Sequence, residues 1–316
     1  MPDPKSAVLI AGFGAPENVE DVPAFLERVT RGRNIPPARV AEVTSHYEAI
    51  GGSPYNRAVA ELAAALQTEL GNRDKPVPVY TGMRNWDPLL EDTLARMSAD
   101  GITHAAVVTL APHHSPASTG RYDQALDEAV SALGDRAPAL SRIEPWHVAE
   151  GFTAAVAARA GEACLEAGGD LRGDGRAWIF TAHSIPTALA DHCPYQQQFR
   201  QSAAAVSARL GIDNAVCAFQ SRSGNPGQPW LGPDLVEAIA EVAKQGSTTA
   251  VVVPVGFVVE NLELLYDLDI DAAARARESG INMIRARAVG THPDFVTMLA
   301  RRARDTLATR GNFDRG

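Results

Sequence analysis

Short apolar runs alternate with longer Ala- and Leu-rich stretches along the whole chain, and that alternation restricts the fold more than any other feature. Residues 7–12, 77–82, 105–110, 178–182, 215–219, 250–255 and 281–285 read as strands. Residues 55–70, 89–99, 122–133, 152–167, 199–210 and 234–244 read as helices between them. Strands alternating with helices at this spacing predict an α/β protein of parallel sheets flanked by helices. With 316 residues there is room for two domains, each with its own core. The polar, Pro-containing stretch 137–146 is the best boundary, giving Rossmann-like domains over 1–140 and 141–316, with the last helix free to pack back on the first. The halves also rhyme. V-L-I-A-G-F-G-A-P parallels W-I-F-T-A-H-S-I-P, and V-V-T-L-A-P-H-H-S parallels V-V-V-P-V-G-F-V-V-E. Two similar domains facing a shared cleft are expected from this.

Composition removes several function classes. A formal charge of -9 supplies no phosphate-neutralising stripe, so no nucleic-acid partner is expected. No apolar run is long enough for a membrane span, and the first residues lack the basic region of a secretory signal. Cys164, Cys193 and Cys217 are too few and too scattered for a disulfide framework, and Cys217 reads as a buried small hydrophobe. A reduced, cytoplasmic protein is expected, and a monomer, since the pattern holds no long exposed apolar patch. G-F-G-A-P-E after the first strand lacks the third glycine of a dinucleotide fingerprint and carries a proline in the turn, which argues against a nicotinamide cofactor.

The chemistry concentrates in two stretches. Residues 177–186, A-W-I-F-T-A-H-S-I-P, are a buried strand running into a turn. Ser184 is placed as an N-cap and Pro186 in a first helical turn, so His183 stands at the carboxyl end of the strand. A core histidine satisfied by a backbone carbonyl is the plain alternative. Eighty residues on, Glu263, Asp267 and Asp271 recur four apart, which on a helix makes one acidic stripe. Such stripes are commonly solvated faces. This one, however, follows V-V-V-P-V-G-F-V-V directly, and carboxylates brought into apolar surroundings are costly unless they meet a cation. Hard oxygen ligands in a line suit the passage of a divalent metal, and a histidine base beside them suits coupled proton removal.

The wider wording resembles the ferrochelatase family. T-A-H-S-I-P, the Q-S-R-S-G segment of 220–234 and P-V-G-F-V-x-x-x-L-E-x-L-Y-D-L-D of 254–269 carry the resemblance. F-L-E-R-V-T-R-G-R-N-I-P, G-G-S-P, R-N-W-x-P and L-A-P-H-x-S extend it, in the family's order, over nearly the whole chain. It implies two Rossmann-like domains, a tetrapyrrole held between them, and insertion of Fe²⁺ as substrate metal with loss of two pyrrole protons. It places catalysis on His183 and Glu263, and the metal path on these two with Asp267 and Asp271. Porphyrin contacts are implied for Phe13, Arg31, Ser53, His114, Ser115, Arg222 and Trp230, with Arg31 and Ser53 at the propionates. The wording is closest to actinobacterial-type members acting on coproporphyrin III; protoporphyrin IX is the other substrate. No permanently bound cofactor and no iron–sulfur cluster are expected. A chelatase for another divalent metal and a non-catalytic tetrapyrrole or metal binder are the alternative readings.

Several positions depart from the family wording. Asn261 and Asp87 replace histidines, Glu260 replaces an aspartate, and His114 stands for an aromatic residue. Phe13 stands where some members have a tyrosine. Groups that support metal ligands tune affinity and orientation, so these changes are expected to bear on metal preference.

Overall fold

The computed structural model describes residues 5–31, 33–71, 77–168, 171, 173, 175–223 and 227–313. The chain divides into two compact units. One comprises residues 1–110, 117–145 and 290–316, the other residues 111–116 and 146–289.

In the first unit β1 (Lys5–Gly12), β2 (Val79–Met83), β3 (Ile102–Thr109) and β4 (Ala139–Arg142) form a parallel sheet of order β2-β1-β3-β4. β1 is central, and Ala7 to Ala11 are fully buried. Burying a side chain such as Leu9 or Ile10 contributes about 1.5–3 kcal/mol, so this strand anchors the unit. Helix Pro293–Phe313 packs on helix Tyr55–Gly71 and β3 of the same unit, where Arg304 donates to the Glu69 carbonyl at 2.7 Å. β4 lies inside the stretch read from sequence as a boundary. It is an edge strand, three of its four residues half-buried and Arg142 exposed, with no apolar alternation to announce it.

The second unit repeats the order. β5 (Arg176–His183), β6 (Ala215–Gln220), β7 (Thr249–Val253) and β8 (Asn282–Arg285) form a parallel sheet β6-β5-β7-β8. Side chains alternate across β5. Ile179 packs with Leu235, Ile239, Val252, Leu264 and Leu268 in one core layer. The next residue, Phe180, faces the opposite side of the sheet. Phe199 stacks edge-on to Phe219 at 5.2 Å, and Phe219 is the β6 partner of Ala182. Thr181 and His183 therefore continue the Ile179 face.

The G-G-S-P turn shows why its second glycine is needed. Gly52 has φ +92°, and a Cβ there would lie 1.7 Å from the Glu17 carbonyl oxygen. That close approach lets Ser53 N–H reach the Pro16 carbonyl at 3.1 Å and fastens the turn to the loop after β1.

Candidate functional site

In the second unit the chain leaves β5 for β6 on one side and returns to β7 on the other. The carboxyl ends of β5 and β7 are thus a topological switch point, where open α/β sheets hold ligands. His183 is the last residue of β5, and the loop after β7 delivers Glu263. Gly256 in that loop donates to the Thr181 carbonyl at 3.1 Å, and a Cβ on it would stand 2.7 Å from Ala182 Cβ. Gly256→Ala must push the loop off β5. We expect a loss of about 1–3 kcal/mol, read from the denaturant midpoint, together with slower metal chemistry.

The His183 ring is oriented by its own backbone. Nδ1 lies 2.6 Å from the Ser184 carbonyl, which can only accept, so Nδ1 carries a proton and Nε2 of the neutral ring keeps its lone pair. The His183 carbonyl is held separately by the Tyr195 hydroxyl at 2.8 Å. Burial lowers the imidazole pKa, against opposing pulls from the Ser184 hydrogen bond and from Asp267. The neutral, basic form is the one present near pH 7. The plain alternative, a histidine tied to a backbone carbonyl, accounts for one ring nitrogen and leaves the other available. Ser184 is not an N-cap. Its hydroxyl donates to the Leu231 carbonyl at 2.9 Å, and the helical turn starts at Thr187.

The helix that carries the acidic stripe, Glu263–Ala272, is a π-helix with i→i+5 bonding. In the wider turn, residues four apart fall just short of one revolution and line up in columns. Leu264, Leu268 and Ala272 make the buried column, and Glu263, Asp267 and Asp271 make the column beside it. The carboxylates grade from inside to outside: Glu263 and Asp267 are partly buried, whereas Asp271 is exposed and meets Arg275 at 3.9 Å. Burial raises the Glu263 pKa. Burial also pushes Asp267 up to about 6, opposed by a Ser221 hydrogen bond and reinforced by the Glu263 charge. Asn261 accepts from Leu264 N–H at 2.9 Å, so the residue standing for a family histidine caps this helix.

Three groups at this site escaped the reading from sequence. Ser221 adopts φ +61°, which is uncommon for a non-glycine residue, and its hydroxyl is hydrogen-bonded to the Asp267 carboxylate. Gln220, paired with His183 across the sheet, points its amide nitrogen at the Glu263 carbonyl at 3.5 Å; its buried amide oxygen has no partner among the described residues. Both lie in the Q-S-R segment, whose wording marked the place without assigning roles. Arg285 grips Asp269 with two nitrogens, at 2.6 and 2.7 Å, and reaches Glu260 at 3.0 Å. Glu260 Oε1 also accepts from Ala288 N–H at 2.8 Å, while its buried Oε2 accepts no hydrogen bond among the described residues and meets Arg285 only as an ion pair.

The other sequence candidates fall in both units. Arg222 meets Asp234 at 3.8 Å, and Trp230 forms an antiparallel bridge with Pro186 on the far side of the Ser184 turn; residues 224–226 between them lie outside the described residues. Ser115 is fully buried, and the exposed His114 gives its N–H to Gln198 at 2.6 Å. Their neighbour His113 is driven down to about pKa 3 by burial and is a neutral core residue beside Ser202. In the first unit the Phe13 ring meets Phe25 edge-on, the Ser53 hydroxyl accepts from Tyr55 N–H, and Arg31 closes a helix in the left-handed region at φ 52°. Asp87, standing for the other family histidine, pairs with Arg28 at 3.4 Å, and Arg28 stacks over Trp86. Cys217 is half-buried, not fully buried as expected, and its thiol pKa is raised by desolvation.

Comparison with known proteins gives the fold its class. SirB from Bacillus subtilis with Fe³⁺ matches with a TM-score of 0.61 over 98% of both chains at 17% identity. The cobalt complex of the sirohydrochlorin chelatase SirB from B. subtilis subspecies spizizenii matches with a TM-score of 0.55 at 14% identity, over 96% of this chain and 95% of that one. At such identities the likeness concerns the fold, which is that of the chelatases. Sequence carries the assignment further. The Ferrochelatase family model matches residues 5–307. A ferrochelatase of Rhodopirellula baltica is 40% identical over 94% of this chain and 84% of its own length. A coproporphyrin III ferrochelatase of Nocardia farcinica is 38% identical over 96% and 90%. The chain belongs to the ferrochelatase family, and is a metal chelatase.

Proposed function

We propose that this chain inserts ferrous iron into coproporphyrin III, with His183 and Glu263 at the point of insertion and Asp271 and Asp267 as the approach. The carrying observation is the His183 Nε2 lone pair at a switch point shared with carboxylates whose burial increases inward. Insertion exchanges one dication for two pyrrole protons. The hydrated metal meets Asp271 first, and each carboxylate replaces part of its water shell. Groups poised near neutrality are matched proton acceptors, and both the basic imidazole and a carboxylate near 6 fit. The coproporphyrin III ferrochelatase of Nocardia among the relatives, and the closeness of the motifs to actinobacterial wording, favour this porphyrin over protoporphyrin IX. Of the three cysteines, Cys164 lies in the helix Glu150–Glu166, Cys193 in a loop and Cys217 in β6, a scatter that supports an enzyme without an iron–sulfur cluster. Among the described residues no helix is long and apolar enough to cross a membrane.

The test is anaerobic visible spectroscopy with coproporphyrin III and Fe²⁺. Free-base bands should collapse into metalloporphyrin bands, and porphyrin that stays unmetallated in excess Fe²⁺ overturns the reading. Asp267→Asn sharpens it. The wild-type rate at limiting metal should climb through about pH 6 as Asp267 loses its proton, and the variant should lack that limb and run about 10- to 100-fold slower. Stability moves the other way. Asp267 rises from 3.8 to about 6 on folding, so the native state holds a proton the unfolded chain has released, and stability falls as pH rises through that window. Asp267→Asn should therefore have the higher Tm above pH 6 and lose that advantage in acid.

A further inference from the structure

Two uncharged polar side chains are buried on the His183 face of the second sheet with bare oxygens. Thr181 is fully buried and Gln220 is 3% exposed. Thr181 Oγ1 and Gln220 Oε1 have no hydrogen-bond partner among the described residues. Alternation along β5 puts Thr181 on the same face as His183, and the parallel pairing of His183 with Gln220 puts Gln220 there too. The π-helix covers this face through Leu264 and Leu268, which pack with Ile179. The backbone around both groups is fixed. Ser184 N–H donates to the Gln220 carbonyl at 2.8 Å, and Gly256 N–H donates to the Thr181 carbonyl at 3.1 Å. The Gln220 amide is oriented as well. Its nitrogen lies 3.5 Å from the Glu263 carbonyl and 3.5 Å from the Ser221 hydroxyl oxygen, whose own proton goes to Asp267. Turning the amide over would set its oxygen against the Glu263 carbonyl, which can only accept. Oε1 is therefore the end left bare. Buried polar atoms without partners lower stability, and where they stand beside a base and two carboxylates they mark something the site takes in. A neutral acceptor calls for a donor. The donors that a hydrated dication carries into such a site are its own water molecules, with O–H groups polarised by the metal.

We propose that Gln220 and Thr181 form an uncharged subsite that holds a water ligand of the incoming metal, Gln220 Oε1 accepting one of its protons and the Thr181 hydroxyl oxygen the other. This rests on the insertion reading above and adds to it two groups that carry no charge. Their neutrality matters. Glu263 and Asp267 already oppose the charge of the dication, and a third carboxylate would bind it more firmly before insertion without favouring its departure into the ring. An amide steadies the hydrated ion and releases it.

The experiment titrates the metal-free full chain with cobalt(II) chloride by calorimetry, with no porphyrin present, and then follows steady-state insertion into coproporphyrin III. Gln220→Met, similar in length but without the acceptor, should weaken Co²⁺ binding and raise the KM for metal about tenfold or more. Gln220→Glu should tighten Co²⁺ binding and lower kcat, a split that lost packing would not produce. Thr181→Val keeps the shape of the side chain. It should weaken Co²⁺ binding with no fall in Tm, because the hydroxyl it removes has no partner in the protein. Thr181→Ser should restore the affinity. Unchanged Co²⁺ affinity in Gln220→Met and Thr181→Val would overturn the proposal. Equal weakening in Gln220→Met and Gln220→Glu with a lowered Tm would mark Gln220 as structural and overturn it too, as would a wild type that binds no Co²⁺. The two readings fail separately. Gln220-dependent Co²⁺ binding in a protein that metallates nothing keeps the subsite and loses the enzymatic reading, whereas iron insertion with a metal KM indifferent to Gln220 and Thr181 does the reverse.

Discussion

His183→Ala is expected to bind coproporphyrin III and leave it free-base, with insertion slowed by about 10²–10⁴-fold, the range for loss of a positioned acid–base group. The size of the effect follows from how the ring is held. Nδ1 is committed to the Ser184 carbonyl, which leaves Nε2 as the one basic nitrogen at the end of β5. Burial keeps it unprotonated, so it can take a proton without first losing one. The backbone is secured independently by the Tyr195 hydroxyl and by Ser184 N–H on the Gln220 carbonyl, so the strand end survives truncation of the side chain. His183→Gln is the stricter comparison, because an amide can still donate to the Ser184 carbonyl but offers no basic nitrogen. Stopped-flow spectra at saturating Fe²⁺ should show both variants slow. A fast His183→Gln would mean that the imidazole orients and does not accept protons.

The strand–helix rhythm made the two four-stranded sheets legible, because a doubly covered strand such as β5 must be apolar on both faces. The parallel between V-L-I-A-G-F-G-A-P and W-I-F-T-A-H-S-I-P was readable for the same reason: β1 and β5 hold equivalent places in their sheets. What failed was local grammar overruled at long range. Ser184 has the composition of an N-cap, but its hydroxyl is claimed by a carbonyl 47 residues away. Four-residue spacing at Glu263, Asp267 and Asp271 fits α- and π-helices equally, so the widened turn was beyond reach. Ser221 and Gln220 sat inside a recognised segment, yet a left-handed serine leaves no composition signal. Arg285 was unreadable because an arginine's meaning is its partner, and its partners Asp269 and Glu260 are brought to it by strand order.

Arg285→Ala is expected to cost about 3–5 kcal/mol and to lower Tm by about 10 °C, the largest stability effect outside the core. Only 10% of the Arg285 side chain is exposed, while Asp269 retains 37% and Glu260 26%. Removing the cation strands two carboxylates, and Glu260, fixed by Ala288 N–H, has the less water to turn to. Adding Glu260→Gln and Asp269→Asn should restore part of the loss, because the penalty lies in unpaired charge more than in missing attraction. Arg285→Lys should restore little, since a point charge cannot grip both Asp269 oxygens and Glu260 together. The consequence reaches the metal path. Asp269 sits midway between Asp267 and Asp271 on the π-helix, and its fork to β8 holds that helix in rotation against the sheet. Freed of it, the carboxylate column should lose register before it loses structure. In the charge-neutralised triple variant, which folds more stably than Arg285→Ala, the KM for metal should still stand about tenfold or more above wild type, with a smaller change in kcat. A triple variant with wild-type KM for metal would show that Arg285 stabilises the unit without positioning the carboxylates.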